Sequence, residues 1–286
     1  MLPTGRAYLD TFFGIMMAGC VQVPIYPPTR RSQIAEHLRR HAGILGNAAV
    51  RLLVTVSEAK LVGNLLLAQV PSLDKVMTPE DLARHHLRDV TVPRRPEDVA
   101  FLQYTSGSTG DPKGVVLTHA NLLANMRALG QRVQADSSDV FVSWLPLYHD
   151  MGLIGAWLAT MYHAIPVALM SPLAFLAKPS RWLWALHRHR ATLTASPNFG
   201  YERCLAKVSD SEIAGLDLSA LRFMLNGAEP VSPDTVARFN ERFAPYGLRS
   251  NALRPVYGLA ETCVGLTIPS PDDPVVIDRI ERDAFS

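Results

Sequence analysis

The chain has 286 residues, of which 48% are apolar and 19% are charged. This length can bury a sizeable core and suits one large domain or two small ones. The 28 basic and 26 acidic residues leave a net charge of +2, which disfavours nucleic acid or another polyanion as the main partner. Three widely spaced cysteines make neither a disulfide framework nor a zinc site and favour a reducing, cytoplasmic location. No apolar run approaches the roughly 18–20 residues that span a bilayer, so no transmembrane segment is predicted.

Predicted helices and strands alternate through the first third of the chain. Apolar residues at helical spacing predict a first helix that ends near Gly19. Ser32 is expected to cap a helix that runs through about His41, with His37 and His41 on a solvated basic face. The other predicted elements are strands over residues 21–26 and 52–56, a helix from Ser57 through Gln69, a short strand over 75–78, and a surface connection between two sheets over 79–98.

The alternation continues to the end of the chain. The predicted strands lie over 101–105, 140–145, 165–170, 192–195 and 221–225. The first predicted helix runs from Thr118 or His119 to Gly130, and the second follows the strand over 140–145 and ends at about His163. A third helix begins at Pro179 and Ser180 and ends in basic residues 187–190, and a fourth begins at Ser232 and Pro233. This order predicts an α/β fold of layered, largely parallel sheets flanked by helices.

A loop of glycine and hydroxyl residues follows the strand predicted over 101–105. Such residues let backbone N–H groups approach an anion, and Lys113 adds a compact positive charge, so the loop suits a polyphosphate. The alternative is a hairpin turn of small polar residues. A Walker A motif is excluded, because Pro112 and Gly114 stand where it needs Gly and Ser or Thr. The residues expected to hold phosphates are Thr105, Ser106, Gly107, Ser108, Thr109, Gly110 and Lys113.

Three further loops follow predicted strands, where α/β folds bind ligands. In residues 257–262, Tyr257 can stack on a purine and Glu261 can hold Mg²⁺. The alternative for these residues is a helix start with a solvated Glu261. The alternative for the loop over 226–230 is an ordinary strand-to-helix turn. In the loop over 145–152, His149 stands beside Asp150, but adjacent side chains rarely meet, so we expect loop polarity and not a general base.

The stretch YTSGSTGDPKGV at 104–115 resembles the phosphate loop of the adenylate-forming superfamily, which includes acyl-CoA synthetases, luciferases, peptide-synthetase adenylation domains and fatty-acyl-AMP ligases. The resemblance extends from about Leu2 to Ile268. Three other stretches are more similar to the fatty-acyl-AMP ligase branch than to common acyl-CoA synthetases: LPLYHDMGLIG at 145–155, SPNFGYE at 196–202 and NGAEP at 226–230.

The resemblance implies that ATP and Mg²⁺ activate a fatty acid to acyl-AMP with release of pyrophosphate, and that an acyl carrier protein or coenzyme A accepts the acyl group. It assigns catalysis to Lys113, His149 and Glu261, with Glu261 as the metal ligand. Implied nucleotide contacts beyond the phosphate loop are Gly227, Ala228, Glu229, Pro230, Tyr257, Gly258, Glu261 and Thr262. Implied acid contacts are His149, Asp150, Met151, Asn198, Phe199 and Tyr201; for the last three, core and helix-cap packing is the alternative.

By the same resemblance, residues 1–286 are expected to be a partial N-terminal AMP-binding core that is incomplete at both ends. The small C-terminal domain of the family, which carries a second lysine, has no counterpart in the 25 residues that follow Glu261. We therefore expect weak or no turnover from this chain alone. The alternatives are the core of an acyl-CoA synthetase and a binding or interaction module that does not turn over.

Overall fold

The computed structural model describes residues 1–28, 34–84, 91–105, 112–271 and 273–281. The chain forms two compact units, and the sequence passes between them several times. Unit 1 comprises Met1–Asn125, Pro146–Leu153 and Ala260–Val264. Unit 2 comprises Met126–Leu145, Ile154–Leu259 and Gly265–Ser286.

Unit 1 contains two small sheets and the helices around them. The helices that begin in it are α1 (Arg6–Met17), α2 (Ile34–Asn47), α3 (Lys60–Leu67), α4 (Pro79–Ala83) and α5 (His119–Arg132). Its strands are β1 (Leu52–Val54), β2 (Lys75–Met77), β3 (Val99–Thr105) and β4 (Lys113–Thr118). The β1 and β2 strands are parallel, whereas β3 and β4 form an antiparallel hairpin. Ala100 and Phe101 of β3 are fully buried, so the hairpin contributes to the core of this unit.

Unit 2 is built on one parallel sheet. Its strands are β5 (Phe141–Ser143), β6 (Val167–Leu169), β7 (Leu193–Ser196), β8 (Phe223–Asn226) and β9 (Leu253–Pro255), in the order β6-β5-β7-β8-β9. Its helices are α6 (Ala159–Tyr162), α7 (Pro172–Ala177), α8 (Ser180–Arg188), α9 (Asn198–Lys207) and α10 (Pro233–Phe243). All residues of β5 and β7 are buried, as is typical of parallel strands covered on both faces. The predicted α/β fold with largely parallel strands is confirmed.

Local capping signals placed several helix ends correctly. The α10 helix begins where Ser232 was expected to cap it, and the Ser232 Oγ accepts a hydrogen bond from the Thr235 N–H at 3.3 Å. Gly19, which was expected to end α1, follows it in the left-handed conformation with φ +70°. The helix predicted after Gly152 is present, but its first part, Met151–Leu158, is π-helical.

Among the described residues, no helix has the length and apolarity needed to cross a membrane. All three cysteines are free thiols.

Other predicted boundaries were wrong. The segment predicted as a strand over 21–26 forms no named strand, and among the described residues its bridge is between Gln22 and Phe101. The helix predicted from Ser57 begins as a 3-10 turn over Ser57–Ala59. The α4 helix lies inside the predicted surface connection, and α7 lies where no element was predicted. The Thr78 side chain caps the N-terminus of α4 by accepting a hydrogen bond from the Asp81 N–H at 3.1 Å. No helix was predicted at this position. Ser32 lies outside the described residues.

The prediction of a solvated face for His37 and His41 was wrong, because both rings belong to the core of unit 1. Their side chains are stacked with ring centroids 3.8 Å apart, and the Tyr26 ring packs edge-on against both. The α2 helix runs on to Asn47, and the buried face of the histidines continues into Ile44 and Leu45. Burial lowers the pKa of each histidine to about 4.

Candidate functional site

The residues predicted to bind ligands are divided between the two units. Unit 1 carries Thr105, Lys113, His149, Asp150, Met151, Glu261 and Thr262. Unit 2 carries Asn198, Phe199, Tyr201, Gly227, Ala228, Glu229, Pro230, Tyr257 and Gly258. Ser106, Gly107, Ser108, Thr109 and Gly110 lie outside the described residues.

The candidate phosphate loop joins the two strands of the β3–β4 hairpin. Thr105, the last residue of β3, is directly opposite Lys113, the first residue of β4. Lys113 is exposed and has no ion-pair partner among the described residues. The two strands thus form the hairpin that was the alternative to a phosphate loop. Phosphate binding by the loop between them stays a prediction.

Tyr104 ties this hairpin to α2. Its hydroxyl donates a hydrogen bond to the Asn47 Oδ1 at 2.5 Å. Its ring lies across Gly114 on the neighbouring strand, where an added Cβ would be 2.8 Å from the Tyr104 Cζ. The glycine thus leaves room for the tyrosine ring, one residue after Lys113.

The loop that carries His149 is held by two side chains that the sequence analysis missed. The Tyr8 hydroxyl of α1 donates to the Leu147 carbonyl at 2.6 Å, and the Gln103 Nε2 of β3 donates to the Tyr148 carbonyl at 2.9 Å. Two consecutive carbonyls are thus fixed from two different elements. Gln103 could have been noticed as a polar residue on the inward face of a predicted buried strand.

His149 and Asp150 contact each other, so the expectation that these adjacent side chains do not meet was wrong. The His149 Nδ1 lies 2.7 Å from the Asp150 Oδ1, and the Met151 N–H donates to the same carboxylate oxygen at 2.6 Å. The hydrogen bond from Asp150 raises the pKa of His149, although burial acts in the opposite direction. About half of the imidazole is exposed. The Asp150 carboxylate thus stabilises the protonated form of the imidazole relative to the neutral form.

Glu261 lies in a 3-10 turn, Ala260–Thr262, that is next to β4. Its carboxylate is exposed. No group of three or more potential metal ligands occurs in the described part of the chain. A single carboxylate fits Mg²⁺, which proteins commonly hold through one or two carboxylates together with substrate phosphates. Glu261 therefore suits a magnesium–nucleotide complex, in which the phosphates supply further oxygen ligands.

In unit 2, the loop over 226–230 leaves β8 through a tightly packed turn. A Cβ on Gly227 would lie 2.7 Å from the carbonyl oxygen of Val256, which follows β9. Ala228 adopts the left-handed conformation with φ +67°, which costs energy for a residue with a side chain. The Asn226 carbonyl accepts a bond from the Val256 N–H at 2.8 Å. The loop is thus fixed against the end of the neighbouring strand.

The three residues predicted to border an acyl channel have different surroundings. Asn198 is buried and bonds to neighbouring segments, Phe199 is 43% exposed, and Tyr201 is fully buried. The Tyr201 hydroxyl donates to the Leu225 carbonyl at 3.0 Å, and its ring packs against Trp182 and Phe239. These are the contacts of a core residue, so they support the packing alternative for Tyr201. A role for Asn198 and Phe199 in acid binding stays a prediction.

Trp144 is an aromatic residue that the sequence analysis did not single out. Its ring stacks on Phe175 at a centroid distance of 3.9 Å and meets Phe199 edge-on at 5.6 Å. The Trp144 Nε1 is buried and has no hydrogen-bond partner among the described residues. A tryptophan near the end of the strand predicted over 140–145, at the edge where ligands bind in α/β folds, was the signal that could have identified it.

Tyr257 presents its ring to solvent from a fixed backbone. The side chain is 62% exposed. Its backbone pairs with Thr267, with N–H to carbonyl distances of 2.9 Å in both directions. An exposed ring on a rigid backbone suits stacking on a flat ligand such as a purine.

Comparison with known families gives one match over almost the whole chain. The family model described as AMP-binding enzyme matches residues 1–282.

The chain is also similar to individual proteins of known sequence or structure. A medium-chain-fatty-acid–[acyl-carrier-protein] ligase of Teredinibacter turnerae is 34% identical over 91% of this chain and 46% of its own length. A putative fatty-acid–CoA ligase of Mycobacterium tuberculosis is 36% identical over 100% of this chain and 50% of its own length. The crystal structure of a fatty acyl-adenylate ligase from L. pneumophila in complex with acyl adenylate and pyrophosphate superposes with a TM-score of 0.79, at 34% identity over 91% of this chain and 45% of that one. The chain thus spans about half the length of these relatives.

Proposed function

Because the chain belongs to the AMP-binding enzyme family, we propose that it provides the nucleotide- and acid-binding core for ATP-dependent activation of a fatty acid. A carboxylate oxygen of the acid attacks the α-phosphorus of ATP in line, and the bond between the α-phosphorus and the bridging oxygen of pyrophosphate breaks. The products are acyl-AMP and pyrophosphate. Such a reaction depends mainly on positioning and on stabilisation of the phosphate charges.

The observation that carries this proposal is the likeness to the L. pneumophila ligase that holds acyl adenylate and pyrophosphate, over 91% of this chain. The phosphate-loop motif at 104–115 and the exposed Lys113 beside it support the same reaction. Acid activation needs no strong base, because a carboxylic acid is already ionised at neutral pH. Because Asp150 stabilises the protonated form of His149, this imidazole is better suited to holding the substrate carboxylate than to removing a proton.

Several of the predicted site residues have specific roles in this proposal. Lys113 and the loop over 106–110 bind the β- and γ-phosphates, and Tyr257 stacks on the adenine that the loop over 226–230 covers. Glu261 holds Mg²⁺, which neutralises phosphate charge when it is bound. Phe199 is 43% exposed and packs edge-on against the buried Trp144, which stacks on Phe175, so its ring is placed to contact an alkyl chain.

For the acceptor of the acyl group we favour a carrier protein, since the T. turnerae relative is named as an acyl-carrier-protein ligase. Coenzyme A is the second candidate, because the M. tuberculosis relative is named as a putative fatty-acid–CoA ligase. The three free thiols are consistent with a reducing cytoplasm.

Nucleotide binding is the primary test, because the chain spans about half the length of its relatives and turnover makes greater demands than binding. We expect calorimetry to show weak binding of ATP·Mg²⁺ or AMP to the folded chain. Lys113→Ala and Glu261→Ala should reduce ATP·Mg²⁺ affinity by about tenfold, which corresponds to the roughly 1.4 kcal/mol of one charge-assisted contact. Lys75→Ala removes another exposed strand lysine of unit 1 and serves as the matched control.

Fatty-acid-dependent exchange of pyrophosphate into ATP tests the reaction itself. Exchange that requires the acid supports adenylation, and mass spectrometry of products formed with coenzyme A or with a carrier protein identifies the acceptor. A folded chain that binds no nucleotide at millimolar concentration contradicts the proposal. Nucleotide binding without exchange, in this chain and in any longer gene product that contains it, would instead favour a non-catalytic binding module.

A further inference from the structure

Three hydrogen bonds join the first turn of α9 to the end of β8 and the segment that follows it, all within unit 2. The Asn198 Oδ1 accepts from the Asn226 Nδ2 at 3.1 Å and from the Ser232 N–H at 3.2 Å. The Phe199 N–H donates to the Glu229 Oε1 at 2.5 Å. The loop over 226–230 and the start of α9 are therefore connected at more than one point.

The bond between Phe199 and Glu229 differs from the other two because it caps the N-terminus of α9. The capping residue, Glu229, is distant from that helix in the sequence. The first N–H groups of an α-helix have no partner inside the helix. Pro197, at the cap position of α9, makes no side-chain cap bond. The Glu229 carboxylate supplies the missing acceptor, and a negative charge is favoured at a helix N-terminus.

The far side of the loop is also fixed. Gly227 packs against the Val256 carbonyl closely enough to exclude a side chain, and Ala228 is held in the left-handed conformation. A rearrangement of residues 226–230 therefore cannot be absorbed easily within the loop. Glu229 would transmit such a rearrangement to the backbone of Phe199, and the reverse also holds.

We propose that Glu229 is a positioning residue that couples nucleotide binding to acid binding, by joining the nucleotide loop over 226–230 to the N-terminus of α9. The inference rests on the proposed function, because it takes the loop as part of the nucleotide site and α9 as part of the acid site. A rearrangement that either ligand imposes on its own element is then transmitted to the element that the other ligand uses. By thermodynamic linkage, each ligand raises the affinity for the other by the same factor.

The bond itself can be tested without any ligand. The chain has ten phenylalanines, so selective ¹⁵N-Phe labelling of the full chain gives ten amide signals. Phe199→Leu identifies the signal of Phe199. In Glu229→Ala we expect that signal to shift and its hydrogen exchange to accelerate by about fivefold, as for the loss of one hydrogen bond. The other nine signals report whether the fold is intact, and an unmoved Phe199 signal overturns the proposal.

The coupling is tested with AMP and decanoate on the same variants. We expect AMP to raise decanoate affinity by at least about fivefold in the wild-type chain, as is usual for coupled sites. Glu229→Ala should bring this ratio close to one, whereas Glu229→Gln, which keeps an oxygen acceptor, should retain most of it. Glu241→Ala removes an exposed glutamate of α10 and should behave as the wild type.

The outcomes separate this inference from the proposed function. If the Phe199 signal moves but the coupling ratio of Glu229→Ala equals that of the wild type, the bond exists and the coupling role is wrong. If the wild-type chain binds AMP and decanoate with no mutual effect, the coupling is again wrong, while the proposed function stands. If the wild-type chain binds neither ligand, the proposed function fails and the coupling fails with it.

Discussion

The imidazole of His149 is paired with the carboxylate of Asp150, the next residue in the chain, at 2.7 Å between Nδ1 and Oδ1. The turn that begins at Pro146 allows this contact, since the His149 N–H donates to the Pro146 carbonyl at 3.2 Å. The Asp150 carboxylate is also fixed by the Met151 N–H. The pKa of His149 is therefore raised by a residue whose own position is fixed by a backbone hydrogen bond.

We expect Asp150→Asn to lower the pKa of His149. Hydrogen bonding to Asp150 is the main cause of its raised pKa, and an amide cannot replace the negative charge. The ion pair stabilises the fold below the unfolded pKa of about 6.5, and this contribution is lost as the pH rises through the higher folded pKa. NMR titration of the imidazole C–H signals measures the change. Asp10→Asn, at an exposed carboxylate of α1, is the control, and an unchanged His149 titration in Asp150→Asn would contradict the prediction.

Acidification is expected to destabilise the chain through His37 and His41. Burial lowers the pKa of both rings to about 4, and for His41 the charges of His37 and Arg40 act in the same direction. Since an unfolded histidine titrates near 6.5, the unfolded chain binds protons that the folded chain does not. The free energy of unfolding should therefore fall as the pH drops from about 6.5 to about 4.

Urea unfolding followed by circular dichroism at pH 7 and pH 5 checks this slope. Replacing both His37 and His41 with Phe keeps two aromatic rings but removes the titrating groups, so the loss of stability on acidification should shrink. His189→Phe, at the exposed end of α8, is the matched control and should keep the wild-type slope. A double variant as sensitive to acid as the wild type would refute the role of the buried rings.

Gly227→Ala is expected to displace the loop over 226–230. The added methyl group would lie 2.7 Å from the Val256 carbonyl oxygen, and a backbone atom cannot move aside as a flexible side chain can. We expect a loss of about 1–3 kcal/mol in the free energy of unfolding, as for other overpacked sites. On the proposed function, AMP affinity falls as well. Chemical denaturation and calorimetry measure the two effects, and unchanged values for both would show that the close approach is absent.

Ala228→Gly at the next position should have the opposite effect on stability. The left-handed conformation of Ala228 costs roughly 1–2 kcal/mol, which glycine avoids. The greater freedom of glycine in the unfolded chain costs about 0.5–1 kcal/mol. The net expectation is a gain of up to about 1 kcal/mol in the free energy of unfolding, measured by the same denaturation experiment. A clear loss of stability would indicate that φ is not positive at this position.

Asp139→Asn should destabilise unit 2 by about 3 kcal/mol, as for a broken buried ion pair. The Asp139 side chain is 3% exposed and accepts bonds from the Arg222 Nε at 2.7 Å and the Thr192 Oγ1 at 2.6 Å. Burial alone raises the pKa of Asp139, but these hydrogen bonds outweigh it and the net pKa is lowered. The stabilisation is thus present above about pH 4 and is lost as the pH falls through the folded pKa.

The control for Asp139 is an exposed ion pair in the same unit. Asp234 is paired with Arg238 at 2.7 Å, but its side chain is 74% exposed. Asp234→Asn should therefore change the free energy of unfolding by less than about 1 kcal/mol. Equal effects of the two substitutions, measured by denaturant unfolding, would show that burial does not strengthen the Asp139 pair.

Local patterns in the sequence were sufficient for the fold class and for the identity of the loops. Short apolar runs alternate along the sequence with segments of helical periodicity, and this order predicted a parallel sheet. Strands β5 to β9 form one. Ser232 and Gly19 placed helix ends because capping depends only on a few neighbouring residues. The phosphate-loop motif pointed to the family because its residues are contiguous.

Tertiary structure alone decided which side chains meet across long distances. His37 and His41 were predicted as a solvated pair, but both lie on the buried face of α2. Whether a helix face is buried depends on where the helix ends and on what packs against it, which here is the Tyr26 ring. Glu229 caps a helix that begins 31 residues earlier, at Asn198. No periodicity encodes such a contact, because the partners are brought together by the order of β7 and β8 in the sheet and not by spacing along the chain.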